Sequence, residues 1–197
     1  MIARGVVVVL AAVLAATPAG ALDLKQTFRK GAFALSVEGG YGEQDNITKF
    51  ADDPGLEFWN VGVRASIVPF GPFEAGPLTG ALEVGLEPYY QRYLDPYEAY
   101  FAGLGATLRY HVLSLGRVVP YAEVMGAAGR STLRTVEIDS DFAFLLHAGV
   151  GVSVFVTETT ALYAGYRFQH VSNGNTDEPN RGFESHSGVV GVSVFLR

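Results

Sequence analysis

The chain reads as an all-β protein, an eight-stranded antiparallel transmembrane β-barrel, on three observations. Apolar and polar residues alternate with period two in one segment after another, the pattern of strands whose two faces meet different surroundings. Past residue 21 no apolar run reaches the roughly 18 residues that a membrane-crossing helix needs, so any span must be made of strands. Lys25, Lys30 and Lys49 are the only lysines and all precede residue 50, whereas a soluble β-protein spreads lysine over its exposed faces and edges.

Residues 1–21 have the three parts of a secretory signal: Arg4 as the positive start, an apolar run from Val6 to Ala16, and Ala19-Gly20-Ala21 as a small-residue cleavage site. Cleavage near Ala21 leaves residues 22–197 as one domain, a multi-pass barrel of the cell outer membrane. With no cysteine, an exported chain must find its stability without disulfides, which a sheet closed on itself can supply. The net charge of -6 and the scarcity of lysine give no nucleic-acid footprint.

The alternation predicts strands over residues 31–42, 56–68, 78–90, 98–112, 119–128, 141–155, 160–172 and 184–196. In the second, Trp59, Val61, Val63, Ala65 and Ile67 share one face while Asn60, Gly62, Arg64 and Ser66 share the other. The third sets Leu82, Val84 and Leu86 against Glu83, Gly85 and Glu87, and the fourth sets Leu104, Ala106 and Leu108 against Gly105, Thr107, Arg109 and His111. In the sixth, Phe144, Leu146, Ala148 and Val150 oppose His147, Gly149 and Gly151. A soluble lipocalin-like barrel would turn the apolar face inward and a membrane barrel would turn it toward lipid. Glycine crowding the polar phase suits a narrow lumen, and Arg64, Arg109 and Arg167 are matched there by Glu83, Glu87 and Glu123. His111 and His147 fall in the same phase and read as satisfied interior residues.

Aromatics near the strand ends, among them Phe58, Trp59, Tyr89, Tyr90, Tyr100, Phe101 and Tyr166, are expected to form interfacial girdles. An even strand count with a periplasmic N-terminus makes the links near 43–55, 91–97, 129–140 and 173–183 extracellular.

Chemistry is concentrated near the end of the chain. The outward phase of strand 7 runs through Leu162, Ala164, Tyr166 and Phe168 into His170 and Ser172, and that of strand 8 runs back from Leu196 to Glu184. Polar groups have no packing reason to stand on a lipid-facing surface. A hairpin centred near residue 177 sets His170 opposite Glu184, close enough for a carboxylate to hold an imidazole, with Ser172 next to His170 on the same face. The spacing permits a Ser-His-Glu triad, in which the imidazole takes the proton of a hydroxyl that is otherwise a poor nucleophile. The competing reading is a polar rim at the start of a solvated loop. His186 shares the outward phase one pair further down and reads as a bystander, Asp177-Glu178 as a solvated acid pair, and the histidines form no metal constellation.

His170-Val171-Ser172-Asn173, Pro179-Asn180, Gly182 and Glu184 resemble the signature of the PagL-type lipid A 3-O-deacylases, outer-membrane eight-stranded barrels with a triad on their outer surface. The resemblance implies Ser172 as nucleophile, His170 as base, Glu184 as orienting acid, and Asn173 with Asn180 as contributors to the oxyanion hole. It implies hydrolysis of the 3-O-linked acyl chain of lipid A in lipopolysaccharide, with outer-membrane lipid as the surroundings and no cofactor, and it leaves open pairing into a homodimer. The rival expectations are a non-enzymatic adhesin or structural barrel and an outer-membrane phospholipase.

Overall fold

Each strand hydrogen-bonds to the next in sequence order and the last pairs with the first, so the sheet closes on itself and leaves no unpaired edge. The computed structural model describes residues 22, 24–49 and 51–196, and the expected signal segment lies outside the described residues. The strands are β1 (Phe33–Gln44), β2 (Glu57–Ile67), β3 (Gly80–Asp95), β4 (Ala99–Val112), β5 (Val118–Ser131), β6 (Phe142–Phe155), β7 (Thr160–Ser172) and β8 (Phe183–Leu196). A short helix α1 (Leu24–Thr27) precedes β1, and a single 3-10 turn, Gly76–Leu78, interrupts the link from β2 to β3. The shortest strand has 11 residues and the longest 16, enough for tilted strands to cross a bilayer.

The faces divide as the alternation predicts. Leu86, Leu104, Leu146 and Val150 stand more than half exposed on the outside, at 55 to 60%, while Arg64, Arg109 and Arg167 on the opposite phase are at most 1% exposed. Apolar surface turned outward all round the wall is the arrangement of a barrel solvated by lipid. Gly151 and Gly191 lie against the rings of Tyr121 and Tyr163, where a Cβ would collide, so interior glycine makes room for large side chains in a narrow lumen.

That lumen is layered. Its middle holds the ion network: Arg109 bonds Glu123 at 2.6 Å, Arg167 bonds Glu123 at 2.7 Å and Glu38 at 2.8 Å, and Arg64 reaches Glu87 at 3.2 Å and Glu83 at 3.4 Å. Glu38, which the expected charge balance omitted, is thus a full member. Strand pairing aligns the network, since Glu83 faces Arg109 across β3 and β4, and Arg109 faces Glu123 across β4 and β5. His111 donates into it at 2.8 Å from Glu83, but neither ring nitrogen of His147 has a hydrogen-bond partner among the described residues, contrary to the expected satisfied interior histidine.

Apolar plugs close the lumen above and below that layer. At the end where β1 starts and β8 finishes, α1 turns Phe28 inward against Phe155 and Phe195, with ring centroids 5.8 and 4.9 Å away. At the far end Phe58, Tyr93, Phe101, Leu133, Ile138 and Phe183 pack together. Phe58, Tyr89 and Phe101 are therefore interior residues and not the girdle residues expected, because each falls on the lumen phase of its strand. Trp59, Tyr90 and Tyr100 do face outward and contact one another in series, at 5.5 and 6.0 Å.

Two strands run further than polarity suggests. β3 continues through Gln91, Arg92 and Asp95, and β5 continues to Ser131. Their outer ends pair with β4, Arg92 opposite Tyr100 and Ser131 opposite Phe101, so charged residues extend the ladder instead of ending it.

Candidate active site on the outer wall

β7 and β8 pair so that His170 stands opposite Glu184, the register counted from the hairpin centre. Both side chains lie on the outward phase at the far end, and His170 Nδ1 is 2.9 Å from Glu184 Oε1. A carboxylate only accepts, so that contact puts the proton on Nδ1 and leaves Nε2 as the basic nitrogen. Ser172 is two residues along the same face of β7, half-buried and opposite Phe144 of β6. Among the described residues no hydrogen bond links its hydroxyl to the imidazole. The fold therefore joins the proposed base and acid directly and brings the serine alongside them.

Gly182 shapes the other side of the ring. Its φ of +66° is one that residues with a Cβ rarely adopt, and an added Cβ would lie 2.9 Å from His170 Cε1 and 3.1 Å from Nε2. Glycine here lets the chain turn into β8 directly against the imidazole.

Asn173 and Asn180 organise the link between β7 and β8. Asn173 is fully buried; its side-chain amide donates to the carbonyls of Asp177 at 2.9 Å and Pro179 at 3.4 Å, and its Oδ1 accepts from Asn175 N at 3.0 Å. Asn173 N donates to Asn180 Oδ1 at 2.8 Å, and Asn180 Nδ2 donates to Asn175 Oδ1 at 2.8 Å on the exposed side. Asn173 thus spends both its backbone N–H and its side-chain amide inside the loop that follows Ser172. Asp177, expected to be merely solvated, accepts from Ser140 Oγ at 3.0 Å.

Residues that the sequence pattern did not single out hold this arrangement from the neighbouring loops. Glu137, buried in the link between β5 and β6, accepts from Gln44 Nε2 at 2.6 Å and Asn46 Nδ2 at 2.7 Å, and its carbonyl accepts from Gly182 N at 3.0 Å. Burial holds the Glu137 carboxyl above the usual carboxylate range. Arg181 bridges outward to Asp52 and Asp53 at 3.3 and 3.0 Å. These contacts join segments more than 40 residues apart, so no local spacing could signal them. His186, read as a bystander, bonds the Tyr166 hydroxyl through Nδ1 and lies 3.3 Å from Asp45 through Nε2, outside the His170–Glu184 pair. The Lys49 ammonium beside Asp45 lowers that carboxyl below its usual range. Among the described residues no group of three or more His, Asp or Glu side chains could hold a metal ion.

Comparison with known proteins agrees with the fold and adds a family. The family model of lipid A 3-O-deacylase (PagL) matches residues 52–193. Among solved structures, the outer membrane enzyme PagL superposes with a TM-score of 0.59 at 14% identity, covering 80% of this chain and 97% of its own. Neisserial surface protein A (NspA) superposes with a TM-score of 0.58 at 20% identity, covering 84% of this chain and 99% of its own. At such identities the likeness is one of fold. No curated protein matches the chain.

Proposed function

The chain belongs to the lipid A 3-O-deacylase (PagL) family, and from that premise we propose that it is an outer-membrane esterase that removes the 3-O-linked acyl chain of lipid A with Ser172, His170 and Glu184. One observation carries the reading: the 2.9 Å contact between His170 and Glu184 on the outward face of the wall, where a polar pair has no packing role. A site there, at the extracellular end, meets the outer leaflet at the depth of the ester bonds near the sugar headgroup. On this reading residues 1–21 direct export and are removed near Ala21.

The chemistry follows from the tautomer. As the ester seats, Ser172 Oγ comes within reach of His170 Nε2, a contact that substrate binding completes. Oγ attacks the ester carbonyl carbon while Nε2 takes the hydroxyl proton, and Glu184 steadies the imidazolium through Nδ1–H. The carbonyl oxygen becomes an oxyanion, and a donor at the Asn173–Asn180 junction stabilises it. Asn180 Nδ2 carries a second hydrogen beyond the one given to Asn175, and the Asn173 N–H, bonded to Asn180 Oδ1, holds that side chain in place. Collapse breaks the bond to the sugar oxygen, which leaves with the proton from Nε2, and the acyl group stays on Ser172. Water, deprotonated by His170, then releases the fatty acid and restores the serine. Neither step needs a second copy of the chain.

The test is to incubate the detergent-purified barrel with lipopolysaccharide and weigh the lipid A produced. The expected product has lost one ester-linked 3-hydroxyacyl chain and keeps its amide-linked chains, because an amide has the less electrophilic carbonyl and the poorer leaving group. Unchanged lipid A with lysophospholipid formed from added phospholipid would make the protein a phospholipase. No hydrolysis of either by a folded barrel would make it a binding or structural barrel.

A further inference from the structure

β1 stops pairing with β8 just short of the site. The ladder between them ends at Gln44 opposite Ser185, so Glu184, one residue further on, has a strand partner only on its β7 side. Its other edge is taken by the link that follows β1. Asp45 N donates to the Glu184 carbonyl at 3.0 Å, Glu184 N donates to Asn46 Oδ1 at 2.8 Å, and Ile47 N donates to Glu184 Oε2 at 3.2 Å. Both carboxylate oxygens are thereby held, Oε1 by the imidazole and Oε2 by a backbone amide. Asn46 is 6% exposed, and its remaining amide group donates to buried Glu137 at 2.7 Å. Asn46 and Ile47 precede residue 52, where the match to the family model begins, whereas Glu137 and Glu184 lie within it.

We propose that Asn46 is a positioning residue for the His170–Glu184 pair: anchored on Glu137, it holds the end of β8 and sets the Ile47 amide against Glu184, which fixes the carboxylate facing the imidazole. The inference rests on the triad reading. Without the clamp, a carboxylate near the end of a strand that is paired on one side samples several rotamers, and His170 is oriented in only a fraction of them. Asn46 touches neither substrate nor the reacting atoms, so its loss is felt in turnover and not in binding.

The test uses the full-length mature barrel and lipopolysaccharide, with rates expressed per folded, heat-modifiable barrel. Asn46→Ala is expected to lower kcat by about 10- to 100-fold with KM changed by less than about twofold. Asn46→Asp alone sets a carboxylate against that of Glu137 and is expected to lose activity similarly. Combining Asn46→Asp with Glu137→Gln restores a donor and acceptor pair with the roles exchanged, and should return kcat to within about threefold of the parent. An unchanged kcat in either single variant, or a loss that the paired exchange does not recover, overturns the inference. The assignment of the triad itself fails separately, if Ser172→Ala keeps full activity.

Discussion

At the residue scale, the site turns on how the His170 ring is held from two sides. The ring is held on Nδ1 by Glu184 and backed along Cε1 and Nε2 by the bare Cα of Gly182. Gly182→Ala should therefore push the imidazole out of line and also strain a backbone at positive φ, for about 1 to 2 kcal/mol of lost stability. The expected result is a barrel that still assembles but hydrolyses lipopolysaccharide far more slowly, with both readable on one preparation. Ser172→Ala and His170→Ala should each lower kcat by about 10⁶-fold and Glu184→Ala by about 10⁴-fold, because an unoriented histidine still acts as a base. All three should leave assembly intact, since the side chains stand outside the wall. Loss of assembly in all three would instead mark a structural role. The His170–Glu184 contact was legible in the sequence because hairpin pairing is simple counting. Asn46 and Glu137 were not, because a loop residue's partners are chosen by where distant loops meet.

At the scale of elements, period-two alternation located all eight strands, since each must satisfy lipid on one face and the lumen on the other. It faltered where that contrast stops. The outer ends of β3 and β5 carry Arg92, Asp95 and Arg130 beyond the apolar band, and nothing in their polarity distinguishes a paired strand from a loop. The same limit hid α1, whose four residues are too few for a helical period to show. It nevertheless closes one end of the lumen: Phe28 is fully buried against Phe155, Phe195 and His111, and Thr27 donates to the Glu158 carbonyl at 2.5 Å. Phe28→Ala should cost about 3 to 5 kcal/mol, measured as a lower denaturant midpoint for the heat-modifiable band. A midpoint equal to the parent's would mean that α1 only rests at the mouth and does not plug it.

At the scale of the whole molecule, the layered interior makes the wall rigid and the lumen impassable. Three arginines and four glutamates meet in the middle layer, and Arg167 is shared between Glu38 and Glu123. Arg167→Ala should destabilise the barrel by about 3 to 5 kcal/mol, since it strands buried carboxylates without a counter-charge. With apolar plugs at both ends, the protein reconstituted in a planar bilayer should show no stepwise conductance, and reproducible channel openings would contradict the packing described for Phe28 and Phe183.

Because the His170–Glu184 pair is mounted on the outside of a plugged cylinder, the proposed reaction requires a lipid to reach it by sliding sideways within its own leaflet. The encounter is two-dimensional. Turnover should then follow the mole fraction of substrate in the surface and not its bulk molarity: adding inert detergent to mixed micelles slows the reaction, whereas diluting the whole sample with buffer above the critical micelle concentration leaves it unchanged. Neighbouring lipids should then compete by occupancy alone, and the deacylated lipid need never enter water before the next molecule arrives.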